Sequence, residues 1–261
     1  MLRCVFYRFL IITLTIIACQ NTISAQQKKS FKIGEQLKYQ VHYGFIRGGE
    51  AILSIRESYY ENKVVNNLYL NIKSVGIASA LYLVDDTYQS FTDTGTNWPY
   101  KSIRNIHENR YKHYSTQVFD HTSRSDSSIC NSSKTGKIVV VKGCQDILSS
   151  VYYLRSIMVD RKPKPDERFI VETYFTDEKF SLVVRFKGYE RIKTKYGTIE
   201  CQKYMPEVIT GRVFKSKDDM SVWFSNDNNF IPVRIKLEIF VGSVYCDLTD
   251  YNGLLYPIVF K

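Results

Sequence analysis

One stretch constrains the fold more than any other: Asp146-Ile147-Leu148-Ser149-Ser150-Val151-Tyr152-Tyr153-Leu154-Arg155-Ser156-Ile157-Met158. It is the one long segment with helical periodicity in a chain that otherwise alternates with period two. Ile147, Val151, Leu154 and Met158 recur at helical spacing and mark an apolar stripe. Asp146 is a good N-cap, because its carboxylate can accept from the free N–H groups of the first turn. Pro163 and Pro165 are stop signals beyond the C-terminal end. A lone amphipathic helix in a β chain buries its stripe against a sheet. Ser149 lies off the stripe, so an aspartate there is expected to cost less than about 1 kcal/mol, whereas Val151→Asp is expected to cost several.

The rest reads as strands. Leu37, Tyr39, Val41, Tyr43 and Phe45 alternate with Lys38, Gln40, His42 and Gly44. Ala51, Leu53 and Ile55 continue after the Gly48-Gly49 turn signal, and Leu68, Leu70 and Ile72 follow the polar turn at Glu61-Asn62-Lys63. Gly76 to Leu83 is ambiguous between a short helix and a bulged connection. In the second half, Ile231, Val233, Ile235, Leu237 and Ile239 alternate with Pro232, Arg234, Lys236 and Glu238. The expected class is all-β and mainly antiparallel: a strongly curved sheet, half-barrel or two-sheet sandwich, with the helix at about 146–158 packed on it. The helix and the basic linker that follows, 146–166 together, divide the chain into two halves.

Residues 1–25 read as an export signal. Arg3 and Arg8 form a positive region, Phe9 to Ala18 an apolar one too short to span a bilayer, and Ile23-Ser24-Ala25 a small-residue cleavage site. Cleavage there leaves one exported β-rich domain, 26–261. The competing reading is a lipobox, Ile16-Ile17-Ala18-Cys19, which makes Cys19 a lipid anchor. Either way the expectation is a periplasmic or outer-membrane-associated bacterial protein with no transmembrane segment in its mature part.

Export gives the cysteines meaning. Cys130, Cys144, Cys201 and Cys246 are an even set in an oxidising compartment, and the favoured pairing is Cys130–Cys144 and Cys201–Cys246, against four buried thiols. No spacing is C-x-x-C, so zinc and redox motifs are unsupported. Net charge is +10, but the basic residues are dispersed and edge protection accounts for them, which argues against nucleic acid. Glu50, Arg155 and Glu190 form a candidate structural ion pair fixing helix on sheet.

Several motifs occur in order: Gly34-Glu35-x-Leu37-x-Tyr39-x-Val41-x-Tyr43-Gly44 with Gly49-Glu50-Ala51; Asp86-x-Tyr88-x-Ser90; Tyr152-Tyr153-Leu154-Arg155; Trp223-x-Ser225-x-Asp227; and Ile231-Pro232-Val233. Together they resemble the domain-of-unknown-function family 3108 of exported bacterial proteins, over nearly the whole mature chain. The resemblance implies export and a β-rich fold, and carries no activity and no functional residue.

Catalytic constellations are weak. Asp85 and Asp86 are adjacent in a strand and point to opposite faces, so they cannot share a substrate. Ser225 with Asp227 has no nearby His and no G-x-S-x-G elbow. His107, His113 and His121 follow no recognised ligand spacing. No catalytic residue, metal or cofactor is expected. The reading is a non-catalytic envelope protein that binds an apolar or glycan-like ligand, or a protein partner, in a concave β surface. The alternatives are a glycan-acting enzyme with unassigned carboxylates and a structural partner of an outer-membrane assembly. The arrangement is similar, by analogy alone, to the periplasmic lipoprotein carriers.

Overall fold

The computed structural model describes residues 29–207, 219–239 and 241–260. The export signal at 1–25, with its alternative anchor at Cys19, lies outside the described residues. The first run of strands is β1 (Gln36–Tyr43), β2 (Ile46–Tyr60), β3 (Lys63–Ser74), β4 (Asp85–Asp93), β5 (Pro99–Glu108), β6 (Tyr111–Asp120), β7 (Ser127–Ser132) and β8 (Gly136–Val141). The second is β9 (Arg168–Phe175), β10 (Glu178–Thr194), β11 (Gly197–Pro206), β12 (Met220–Ser225), β13 (Pro232–Glu238) and β14 (Ser243–Asn252). Helix α1 (Gly76–Leu81) resolves the ambiguous segment after β3, and α2 (Ile147–Met158) joins the two runs.

Each strand pairs antiparallel with its sequence neighbours, except where α2 intervenes, and β1 also pairs with β14. The sheet is therefore a single antiparallel ribbon of 14 strands that nearly closes, with β8 and β9 as its two edges. Local chemistry sets the turns. Glu61-Asn62 and Thr176-Asp177 both hold positive φ at two successive residues, the backbone that matches the right-handed twist of hairpin strands.

Helix α2 spans the lumen. Leu148 and Tyr152 pack with Leu37, Tyr39, Leu53 and Leu68 of β1–β3. Leu154 and Met158 pack with Phe169, Val184, Tyr204 and Phe224 of β9–β12. The helix thus touches opposite walls, and its burial is not confined to one stripe. Leu154 and Met158 are buried as the periodicity requires, but Ile147 and Val151 are only half-buried, while Ser149 and Arg155 are fully enclosed. The periodicity describes a helix lying on one surface; here the sheet wraps around it, and its polar side is accommodated by hydrogen bonds.

Asp146 caps α2 through Leu148 N and Ser149 N, and Ser149 Oγ accepts in return from Asp146 N at 2.9 Å. The helix ends before the prolines: Val159 leaves the helical region and Asp160 takes a left-handed φ of 66°.

The cysteines correct an expectation. All four are free thiols. Cys201 on β11 and Cys246 on β14 are separated in the sheet by β12 and β13, so they are not cross-strand neighbours. Cys130 and Cys144 do share a small cluster with Phe119, Val140 and Tyr174, as apolar packing groups. Burial pushes each of the four thiols up to about 12. A raised thiol pKa stabilises the fold below the unfolded value, 9.0, and that contribution is lost as pH rises towards about 12. Stability is therefore expected to fall over that alkaline window, and thiol reagents at neutral pH to modify the native protein slowly and the urea-unfolded chain rapidly. Fast stoichiometric labelling of native protein contradicts this packing.

Candidate functional site: a divided barrel lumen

Three sets of side chains surround α2. The first moors its C-terminal half. Arg155 is fully buried and forks onto Glu35, with Nη1 donating to Oε1 at 2.5 Å and Nη2 to Oε2 at 2.8 Å. Its remaining donors reach the Asn229 carbonyl at 3.0 and 3.3 Å and the Ser30 carbonyl at 3.2 Å. Burial opposes the charge on Arg155, yet the Glu35 carboxylate outweighs it and holds the guanidinium pKa above its ordinary value.

This corrects the ion pair expected from sequence. Glu50 bonds the exposed Arg47, and Glu190 accepts from Lys203 at 3.0 Å and from Trp223 Nε1 at 2.7 Å. Both lie on partly solvated ground and neither reaches Arg155. Glu35, immediately before β1, points to the helix instead. Around the same end, Tyr39 Oη donates to the Pro232 carbonyl at 2.9 Å, while Ser225 Oγ donates to Asp227 at 2.9 Å and accepts from Ile231 N. Ser225 and Asp227 therefore shape a turn and are committed to it. At the other end Ser90 Oγ donates to Asp146 at 2.5 Å. Of the quoted motifs, Glu35 and Ser90 bond the helix directly, and Asp227 holds Asn229, whose carbonyl accepts from Arg155.

The second set is an apolar cavity of about 380 Å³. The helix face of Ile147, Val151 and Leu154 forms one side. Leu182 and Val184 of β10, with Met220, Val222 and Ile235 of β12 and β13, form the other. This explains why Ile147 and Val151 are half-buried: they face open volume instead of packed atoms. Glu207 is the one carboxylate among the described lining residues. The volume falls within the roughly 300–1,000 Å³ usual for small-ligand sites.

The third set is a small polar cavity of about 30 Å³ at the N-terminal end of α2, lined by Ser102, Arg104, Ser115, Gln117, Asp146 and Asp177 among others. Tyr88, Ile147, Leu148 and Phe175 line both cavities, so the two adjoin. Asp146 is fully buried; desolvation pushes its carboxyl up against the hydrogen bonds that favour its charge.

The other sequence candidates are placed elsewhere. Asp85 pairs with Lys73, while Asp86 turns inward and accepts from His107 N. His113 lies against Lys134 and Ser115, and His121 is held by Ser128 and the Pro99 carbonyl. Among the described residues, no group of three or more His, Cys, Asp or Glu is arranged to hold a metal ion. Sequence reading assigned no residue to the lining of the lumen, because cavity-lining Leu, Val and Ile are indistinguishable from core residues in a strand pattern. It also missed Glu35 as the partner of Arg155, although both stand in the quoted motifs.

A nearly closed antiparallel sheet around a helix, with an apolar cavity beside that helix, defines a barrel-like protein with a ligand-sized lumen. The chain belongs to the family described as "Protein of unknown function (DUF3108)", which matches residues 38–249. No curated protein matches it. Among solved structures it is similar to a crystal structure from Brucella abortus, described as a β-barrel-like protein of domain of unknown function DUF1849. That likeness has a TM-score of 0.55 at 10% identity, covering 87% of this chain and 100% of the other. At that identity it supports the fold alone.

Proposed function

We propose that this protein is a non-catalytic component of the bacterial cell envelope that holds an apolar ligand, such as an acyl chain, in the barrel lumen. The apolar cavity between α2 and β10–β13 carries this reading. Among the described lining residues Glu207 is the one carboxylate, with no partner facing it as glycoside hydrolysis needs, which weighs against the enzymatic alternative. The charged and apolar pattern of residues 1–25 supports export to the periplasm or outer membrane, with Cys19 as the alternative lipid-anchored start.

The test is titration with the fluorescent apolar probe N-phenyl-1-naphthylamine. Saturable binding is expected. Val151→Trp, which fills the cavity from the helix side, is expected to abolish it while leaving the urea midpoint close to the parent's. A parent that shows no saturable binding, or a variant that binds undiminished, rules out the lumen as the site.

A further inference from the structure

The ligand's polar end is also legible, on the premise that the apolar cavity holds a chain. We propose that the lumen takes an uncharged amphiphile, whose chain fills the apolar cavity and whose terminal oxygen, a hydroxyl or ester carbonyl, accepts a hydrogen bond from Arg104.

Arg104 stands opposite Tyr88 on β4 and Ser115 on β6, both of which line the polar cavity with it. Its guanidinium lies 5.4 Å from the ring centre of Phe175, at the boundary of the two cavities. Its Nε is buried and has no hydrogen-bond partner among the described residues. A buried donor left without an acceptor is costly, and a ligand oxygen at that position would satisfy it.

Two observations define the acceptor. The polar cavity, about 30 Å³, has room for one or two water-sized groups, which suits a hydroxyl or a carbonyl better than a sugar or a phosphodiester. The charges facing Arg104 are carboxylates. Asp146 from the helix N-cap and Asp177 from the β9–β10 turn line the same cavity; nearby, burial pushes the Asp86 carboxyl up, and Arg104 is close enough to oppose that in part. Asp146 is held by Ser90, Leu148 and Ser149, and Asp177 accepts from Ser132 at 2.5 Å. An anion would have to share the one guanidinium with Asp177 and crowd the buried Asp146 carboxyl, whereas a neutral oxygen adds no charge.

The experiment compares cis-parinaryl alcohol with cis-parinaric acid by fluorescence titration at pH 8, where the acid is ionised. N-Phenyl-1-naphthylamine, which has no oxygen, is the control. The alcohol is expected to bind about tenfold or more tightly than the acid, and Arg104→Met to weaken the alcohol about tenfold without changing the control probe. Equal affinity for alcohol and acid, tighter binding of the acid, or an Arg104→Met variant that keeps full affinity for the alcohol overturns the proposal while leaving the apolar lumen intact. Failure of every probe to bind overturns both readings. If Arg104→Met does not fold by circular dichroism, the alcohol-against-acid ratio on the parent decides alone.

Discussion

Arg155→Met is expected to destabilise the protein by about 3–5 kcal/mol, the cost of leaving one partner of a buried ion pair uncompensated. Both side chains of the Arg155–Glu35 pair are 0% exposed, so no water can replace the lost partner. The substitution also removes donors to the Asn229 and Ser30 carbonyls. It loosens the contacts of the guanidinium with the rings of Phe31 and Tyr152, whose centres lie 5.3 and 5.0 Å away. Glu35→Leu alone is expected to cost a similar amount, by stranding the guanidinium. The double variant Glu35→Leu/Arg155→Met should cost clearly less than the sum, because no unpaired charge remains. Urea denaturation of the three variants measures this. Additive losses would show that the two residues do not act as a pair.

Ser149→Asp is expected to cost about 3–5 kcal/mol, against at most about 1 for Ser149→Ala. Ser149 is 0% exposed and closes the capping box with Asp146. An aspartate there brings a second carboxylate against the fully buried Asp146, and neither position is open to bulk water. This reverses the sequence-based ranking. Val151→Asp faces the cavity and is expected to remove ligand binding more than stability; Ser149→Asp strikes the helix cap. Equal urea midpoints for Ser149→Asp and Ser149→Ala would contradict this placement.

These two sites mark where the sequence stops being legible. The alternation at Leu37, Tyr39, Leu53 and Ile55 reports a buried face directly, because strand periodicity and burial are one signal. The Asp146 cap is equally local, and its two backbone contacts lie where the sequence placed them. Arg155 and Glu35 are 120 positions apart, and no periodicity chooses Glu35 over Glu50 or Glu190. Ser149 appeared exposed because helical periodicity assumes a single buried face, whereas a closing sheet encloses a helix on several. The cavity was invisible for a related reason. Whether Val151 and Ile147 meet atoms or empty volume depends on how far β3–β4 and β10–β13 stand from the helix, a distance set by the closure of all 14 strands.

Native mass spectrometry of the protein purified without detergent from its own envelope reads the occupancy of the lumen itself. A lipid-sized mass adduct is expected, released by organic extraction as an uncharged acyl compound and absent from Val151→Trp. Parent protein that is stably folded yet carries no adduct, and yields no acyl compound on extraction, would contradict a ligand-holding lumen.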